Sequence, residues 1–265
     1  MSAPLPHSLP TGLPPALPRG RIICAGLGPG DPELMSVRAD RAIRAARHVA
    51  YFRKPGRQGQ ARRIVRGMLA PGAVEYPMEY PVTTELPFDG ADYNDLLSGF
   101  YDDWTARLQS LVAQGHEVVV LCEGDPFFYG SFMHLYVRLQ GRVPVEVIPG
   151  IPGMVGCWNA TQVPISWGDD VLTVLMGTLP EAELIRHMRG ADALAIMKTG
   201  RNLPRVRRAL AAAGRLEDAW LIERGTMEDQ RLARLVEVDA ADCPYFAIVL
   251  VHGRGRRPIA AVRSA

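Results

Sequence analysis

Short apolar runs alternate with amphipathic segments along the first 150 residues of the chain. The runs have the length and the glycine or proline ends of buried strands, and between them apolar positions recur at helical spacing. Predicted strands cover 21–27, 48–52, 73–80, 117–122 and 145–150. Predicted helices cover 36–46, 58–69, 92–114 and a segment from about 130. This alternation predicts an open, mostly parallel sheet with 73–80 at its edge.

The same rhythm restarts after the segment "VPISWG" at 163–168 and continues to "CPYFAIVLVHG". We therefore expect two α/β domains, at 20–163 and 168–257, with a small-molecule cleft between them. Residues 1–19 hold six prolines and have neither a basic start nor an unbroken apolar stretch. They are predicted to form a disordered extension rather than a signal peptide.

Composition places the chain among ordinary globular proteins. It has 265 residues, of which 48% are apolar and 22% charged, and its apolar runs are shorter than the roughly 18 residues that suggest a membrane span. The four cysteines form no C-x-x-C pair, and the six histidines form no spaced ligand pair. We expect a soluble, cytoplasmic protein with reduced and buried cysteines, no metal site and no membrane partner.

Charge is balanced overall but unevenly distributed. The net charge is +2, yet residues 41–67 contain nine basic side chains and no Asp or Glu. A solvated helix face usually mixes both signs, so an unmixed run indicates an anionic partner, with a merely basic surface as the alternative. The basic residues are not interleaved with aromatic ones, so no nucleic-acid partner is expected.

A glycine-rich loop, "GLGPGDP" at 26–32, follows the first predicted strand. A dinucleotide fingerprint would run G-x-G-x-x-G and open directly into a helix. Here Pro29 and Pro32 interrupt the loop, and the first helix starts only after the predicted N-cap Ser36. The loop therefore disfavours a nucleotide cradle, although an NADP-binding protein with Arg53 on the nucleotide phosphate is kept as an alternative.

Three more turns resemble this loop in composition, at 123–131, 149–153 and 176–178. In an open α/β sheet, ligands bind at the carboxyl ends of the strands, where such turns lie. Glycine and proline there leave main-chain groups rigid and accessible. Together with Glu123 and Asp125, the four turns predict a ligand site formed largely by main chain.

The motifs "GLGPGDPELMSVRA", "EGDPFFYGSF" and "IPGIPG" resemble the tetrapyrrole methylase family, the class III S-adenosylmethionine-dependent methyltransferases. The resemblance runs from about Gly20 to His252. It implies a homodimer of two-domain α/β subunits with S-adenosylmethionine in the interdomain cleft. Longer segments at 80–85, 127–139, 164–180 and 197–210 are similar to members that methylate carbon 20 of precorrin-2. Methylation of the cobalt complex, or of another tetrapyrrole carbon, stays open as an alternative.

The same resemblance implies which residues touch the cofactor. By motif position these are Leu27, Pro29, Glu123, Gly124, Asp125, Phe128, Pro152, Gly153, Met176, Gly177, Thr178, Lys198, Tyr245, Phe246 and Ala247. Many relatives carry small hydroxyl residues where this chain has Pro152 and Gly153, so only main-chain contacts are expected there.

Methyl transfer from a sulfonium to an electron-rich carbon needs no enzyme nucleophile, but a proton must then leave that carbon. Asp31 is the candidate acceptor, with the capping of its own turn as the alternative. Arginine and lysine side chains suit the carboxylates of a tetrapyrrole, while two strand-end residues are expected to shape the pocket or to be structural. The predicted substrate-binding residues are Arg53, Lys54, Arg57, Arg62, Arg63, Tyr80 and Thr83.

Overall fold

In the computed structural model, the described residues are 20–82, 91–239 and 243–256. The proline-rich extension at 1–19 and the predicted substrate-binding residue Thr83 lie outside these ranges. Among the helices in these ranges, none is long and apolar enough to cross a membrane.

The first sheet has five strands, all parallel, in the order β3-β2-β4-β1-β5. They are β1 (Arg21–Gly26), β2 (His48–Arg53), β3 (Val74–Glu79), β4 (Glu117–Cys122) and β5 (Val145–Ile148). The predicted parallel sheet and its edge strand are confirmed. Because all five strands run the same way, their carboxyl ends lie along one edge, and the predicted glycine turns lie there with them.

Helices cover both faces of this sheet. They are α1 (Val37–Ala45), α2 (Gln60–Ile64), α3 (Ala91–Ala113) and α4 (Phe132–Leu139). Leu108 of α3 and Phe132 of α4 are fully buried in one core, and Ile43 of α1 is fully buried in the other. The Ser36 hydroxyl accepts the N–H of Ala39, so the predicted cap of the first helix is confirmed.

The second helix is shorter than its predicted span of 58–69. It follows Gly59, which has φ +82°, and it ends at Ile64, shortly before Gly67 at φ +76°. These left-handed conformations suit glycine and stop helix propagation on both sides. The basic residues around α2 therefore lie mostly in loops rather than on one helix face.

The second sheet is mixed, in the order β6-β7-β10-β8-β9. Only β6 and β7 are parallel to each other, and the remaining pairs are antiparallel. The strands are β6 (Leu172–Met176), β7 (Ala193–Met197), β8 (Ala219–Glu223), β9 (Arg231–Arg234) and β10 (Ala247–Val251), with helices α6 (Glu181–Arg189) and α7 (Leu203–Ala212). The second α/β unit is confirmed, and β9 is a strand that the sequence pattern did not reveal.

One helix joins the two sheets. Helix α5 (Gly153–Ala160) follows β5 in the chain, but its buried Cys157 packs with Ile222 and Leu250 of the second sheet. The packing boundary therefore precedes α5, whereas the sequence punctuation lies at 163–168. The domain limits 20–163 and 168–257 stay a prediction.

The carboxyl edge of the first sheet meets the second sheet through the turn between β8 and β9. The Asp31 N–H donates to Thr226 Oγ1 at 3.1 Å, and Gln60 Nε2 lies 3.3 Å from Met227 Sδ. A Cβ on Gly156 would lie 2.5 Å from Pro29 Cβ, so α5 also approaches the first loop closely. These contacts bring the strand-end turns of both sheets to one cleft.

Candidate active site

Three of the predicted turns interlock through their main chains. Gly28 and Gly124 exchange N–H···O bonds of 3.4 and 2.9 Å. A Cβ on Gly150 would lie 2.1 Å from the carbonyl oxygen of Gly124, so the third turn fits against the second only because residue 150 is glycine. The first, second and third turns thus form one rigid main-chain surface at the end of the sheet.

Asp125 holds two of these turns together. Its Oδ1 accepts the Phe127 N–H at 2.9 Å, and its Oδ2 accepts the Gly150 N–H at 3.0 Å. Phe128, half-buried, donates its own N–H to the Asp125 carbonyl at 3.2 Å. The carboxylate that was predicted to touch a cofactor therefore organises the loops, and its direct contact with a cofactor stays a prediction.

Glu123 lies one position before the glycine of the second turn. Its Oε1 accepts the N–H of Ala61 in α2 at 2.9 Å. Burial raises the pKa of this carboxyl, and its backbone hydrogen bonds partly oppose the rise. This hydrogen bond joins the second turn to α2, which lies within the run of basic residues that follows β2.

The remaining predicted residues of the first unit lie around these turns. Leu27 is fully buried, with its side chain in the core, and Pro29 is buried against α5. Pro152 and Gly153 lie at the start of α5, where Pro152 is the N-cap. The Leu27 side chain is therefore closed off from the cleft, and a contact of its main chain with a cofactor stays a prediction.

On the other side of the cleft, the second sheet contributes the residues that end β6 and β7 and begin β10. The Gly177 N–H donates to the Met197 carbonyl at 2.7 Å, which joins the turn Met176–Thr178 to the end of β7. Buried Thr199 donates its hydroxyl to the Ala247 carbonyl at 2.8 Å. The predicted residues of this domain therefore share one edge of the sheet.

Two aromatic side chains at this edge are exposed to solvent. The side chains of Tyr245 and Phe246 are 68% and 38% exposed, although both directly precede the buried strand β10. Their rings lie 5.1 Å apart in an edge-to-face arrangement. Exposed neighbouring rings next to a polar cleft offer a stacking surface for a flat ligand.

Lys198 and Tyr129 meet across the cleft. Lys198 Nζ lies 6.0 Å from the centre of the Tyr129 ring. Both residues have left-handed backbones, with φ +53° and +56°. Such conformations are costly for residues other than glycine and concentrate at functional sites.

Asp31 lies in the first turn, half-buried, beside the second domain. Its Oδ1 accepts the N–H of Glu33 at 2.8 Å and so caps a short 3-10 helix, Pro32–Leu34. This is the capping role that the sequence left open. Within the described ranges, its Oδ2 makes no hydrogen bond or ion pair, so proton acceptance stays a prediction for that oxygen.

The basic segment, residues 53–63, is partly neutralised by strand β3. Arg53 pairs with Glu79 at 2.6 Å, and Arg62 makes a bidentate pair with Glu75 at 2.7 and 2.9 Å. The Arg62 guanidinium lowers the pKa of Glu75. In contrast, three residues of the predicted substrate set are exposed and have no acidic partner in the described part of the chain: Lys54, Arg57 and Arg63.

A cluster of three hydroxyls lies beneath the cleft. The Tyr80 hydroxyl bonds Ser131 Oγ, and the Tyr101 hydroxyl lies close to both. Burial raises the pKa of both tyrosines, so they stay protonated. The Tyr80 ring stacks on Phe52 at 5.5 Å. Sequence reasoning singled out Tyr80 and the turn that ends at Ser131, but it gave Ser131 no role. It missed Tyr101, which lies within the long helix α3 and has no distinctive spacing.

Sequence reasoning also missed Thr226 and Met227. They belong to the segment "RGTMED", whose Gly225 comes shortly after β8, much as the glycines of the four turns above follow their strands. Gly225 is the sequence feature that could have drawn attention to Thr226 and Met227. Its importance rests on contacts with the first loop, and only the folded chain brings these together.

Among the described residues, no group of His, Cys, Asp and Glu could hold a metal ion. The cleft therefore offers main-chain groups, exposed rings, one lysine and a few carboxylates. These are the components of an organic ligand site.

Comparison with known proteins identifies the family. Residues 21–240 match the family described as Tetrapyrrole (Corrin/Porphyrin) Methylases. The chain is 51% identical over 239 residues to the precorrin-2 C(20)-methyltransferase of Sinorhizobium sp, covering 90% of this chain and 98% of that protein. It is 28% identical to the cobalt-precorrin-2 C(20)-methyltransferase of Salmonella typhimurium, covering 88% of this chain and 96% of that protein.

A solved structure supports the same fold. It is the uroporphyrin-III C-methyltransferase from Thermus thermophilus in complex with S-adenosylhomocysteine, with a TM-score of 0.62 and 24% identity. The match covers 88% of this chain and 97% of that one. The family profile and the close relative both cover nearly the whole described chain, and this chain therefore belongs to the tetrapyrrole methylase family.

Proposed function

We propose that this protein is an S-adenosylmethionine-dependent C-methyltransferase that methylates carbon 20 of precorrin-2 and forms precorrin-3A in cobalamin biosynthesis. The observation that best supports this proposal is the 51% identity to a precorrin-2 C(20)-methyltransferase over 98% of that protein's length. The metal-free substrate is favoured over its cobalt complex because identity to the enzyme named for the cobalt substrate is only 28%.

The residues of the cleft fit the proposed methyl donor. The exposed rings of Tyr245 and Phe246 suit a purine, and the glycine turns carry no side chains that would keep a ligand away from the main chain. The Thermus thermophilus relative was solved with S-adenosylhomocysteine, the product of that donor. When bound, the cofactor supplies an activated methyl group.

The remaining tasks belong to the chain's own residues. The interlocked turns around Gly28, Gly124 and Gly150 form a rigid wall that aligns the two reactants. Lys198 and Tyr129 approach each other from the two sides of the cleft, which places a cation and an aromatic ring beside the bound reactants. The enzyme needs no nucleophile, since the reduced tetrapyrrole is itself electron-rich.

The proton that leaves the methylated carbon needs an acceptor. Asp31 Oδ2 is proposed for this role because Oδ1 is already held by the Glu33 N–H, which orients the carboxylate. The Asp31 N–H is in turn held by Thr226 of the other domain. Both contacts keep the side chain in place at the edge of the cleft.

The carboxylates of the tetrapyrrole are proposed to bind the free cations of the basic segment. Lys54, Arg57 and Arg63 are exposed and have no described acidic partner, whereas Arg53 and Arg62 are engaged by β3. Free guanidinium and ammonium groups bind carboxylates most readily when no internal partner competes.

We also propose that the enzyme is a homodimer and acts in the cytoplasm. The four cysteines are free thiols, three of them buried, which suits a reducing compartment. Sedimentation analysis of the purified protein tests the dimer.

The decisive experiment is incubation with methyl-labelled S-adenosylmethionine and either precorrin-2 or its cobalt complex, followed by determination of the mass and position of the added methyl group. Transfer to carbon 20 of metal-free precorrin-2 is expected. Absence of transfer to both substrates would rule out the proposal. A thermal-shift comparison addresses the NADP alternative, because S-adenosylhomocysteine should raise the melting temperature and NADPH should not.

A further inference from the structure

The start of α2 lacks a capping residue of its own. Gly59 occupies the N-cap position with φ +82° and has no side chain to accept a main-chain N–H. The missing acceptor comes from 62 positions away, since Glu123 Oε1 accepts the Ala61 N–H at 2.9 Å. A residue at the end of β4 therefore caps a helix that follows β2.

This contact connects two functional parts of the cleft. Glu123 directly precedes Gly124 and Asp125, whose contacts order the second and third turns. Helix α2 directly follows the loop that carries Lys54 and Arg57, and Arg63 lies on the helix itself. Two other contacts hold the start of α2: Ala61 is buried in the core beneath the helix, and Gln60 Nε2 lies 3.3 Å from Met227 Sδ.

We propose that Glu123 is a positioning residue that caps α2 and thereby holds the basic segment, residues 53–63, against the second turn. This role deepens the proposed function, because it assumes that the basic segment binds the tetrapyrrole carboxylates. Loss of the cap weakens substrate binding and leaves the chemical step largely unchanged.

The cap needs only an oxygen that accepts an N–H, whereas proton transfer needs an ionisable carboxyl. Two substitutions of Glu123 therefore distinguish a positioning role from a role in proton transfer. Glu123→Gln keeps an oxygen that accepts the Ala61 N–H but removes an ionisable carboxyl. Glu123→Ala removes the acceptor altogether. If Glu123 positions α2, the glutamine variant keeps the wild-type exchange rate over residues 60–64. A raised KM for S-adenosylmethionine in that variant would instead support the cofactor contact that the family resemblance implies for Glu123. If Glu123 accepts the substrate proton, both variants lose turnover.

The direct test is amide hydrogen exchange in the purified protein without substrate. In Glu123→Ala, exchange over residues 60–64 should accelerate by about tenfold, as expected for a lost hydrogen bond. It should stay at the wild-type rate in Glu123→Gln. The matched control is Glu117→Ala, at the opposite end of β4, where the carboxylate pairs with exposed Arg21. Unchanged exchange in Glu123→Ala would overturn the capping role.

Steady-state kinetics supply the second readout. Glu123→Ala should raise the KM for precorrin-2 severalfold with little change in kcat, and Glu123→Gln should restore the wild-type KM. A fall in kcat in both variants would replace positioning with direct participation in the reaction. If the wild type itself methylates no precorrin-2, the proposed function fails, while the exchange measurement still decides the role of Glu123.

Discussion

The carboxylate of Asp125 accepts the main-chain N–H of Gly150 at 3.0 Å, and this single bond joins two strand-end turns that are 25 positions apart. The other carboxylate oxygen accepts the N–H of Phe127. Because Gly150 also packs against the Gly124 carbonyl, the bond sets the shape of the main-chain surface that a cofactor would contact.

Asp125→Ala should therefore weaken cofactor binding by disordering the turns. Loss of two hydrogen bonds to a charged group should lower the free energy of unfolding by about 2 kcal/mol and should reduce the affinity for S-adenosylhomocysteine. Urea unfolding and isothermal titration calorimetry measure the two effects. Asp40→Ala, which removes an exposed pair with Arg44, serves as a control and should change neither. Wild-type affinity in Asp125→Ala would contradict this organising role.

Asp31→Asn should lower turnover more than cofactor affinity. Asparagine keeps the oxygen that accepts the Glu33 N–H, so the local turn survives while the basic carboxylate is lost. Loss of a positioned proton acceptor should reduce kcat by about 100-fold or more, measured under saturating S-adenosylmethionine. Ser36→Ala removes a neighbouring cap and should leave kcat unchanged. An equal fall in kcat and in affinity for Asp31→Asn would mean that Asp31 has only a structural role.

Alanine substitution of Lys54, Arg57 or Arg63 should raise the KM for precorrin-2 severalfold. These cations are exposed and unpaired within the described ranges, so each is free to bind a carboxylate of the substrate. Arg44→Ala is the matched control, because Arg44 belongs to the same run of basic residues but already pairs with Asp40. If all three variants keep the wild-type KM, the segment is only a solvated basic surface.

Tyr80→Phe should destabilise the protein by about 1 kcal/mol, because Ser131 Oγ loses its hydroxyl partner. The free energy of unfolding from urea titration measures the loss. Tyr129→Phe is the control, since the Tyr129 side chain is 46% exposed and its ring contact with Lys198 survives the change. Equal stability of the two variants would argue against a contribution from the hydroxyl cluster.

The pair of Arg62 and Glu75 should make stability depend on pH. The bound guanidinium lowers the pKa of Glu75 in the folded state below its ordinary value of 4.5. In the unfolded chain, Glu75 therefore takes up a proton at a higher pH than in the folded protein. The pair stabilises the fold at pH values above 4.5, and this stabilisation is lost as the pH falls through the lowered pKa of Glu75. Both side chains are partly exposed, which limits the contribution to about 1 kcal/mol or less.

Comparison of the wild type with Glu75→Gln from pH 3 to pH 7 measures this effect. The difference in the free energy of unfolding should be present at neutral pH and should vanish at the acid end. Glu33→Gln removes an exposed carboxylate without a described ion pair and should show no such trend. A difference that persists unchanged at the lowest pH would exclude the ion pair as its source.

Sequence reasoning identified most elements of the first sheet but misjudged the surroundings of the basic segment. The run 41–67 contains no acid, so its cations looked free. Parallel pairing of β2 with β3 places Glu79 opposite Arg53, and the same strand brings Glu75 to Arg62. Strand β9 was missed for a related reason, since its alternation is short and charged, and its pairing with β8 defines it.

Local pattern alone was enough to specify the succession of strands and helices in the first sheet, its mostly parallel character and the glycine turns, because hydrophobic period and turn chemistry are properties of neighbouring residues. Tertiary packing alone decided which turns meet, which carboxylate caps which helix and which cations remain free. The bond from Asp31 to Thr226 spans 195 positions and that from Ala61 to Glu123 spans 62. Such contacts depend on strand register and domain docking, which no short segment encodes.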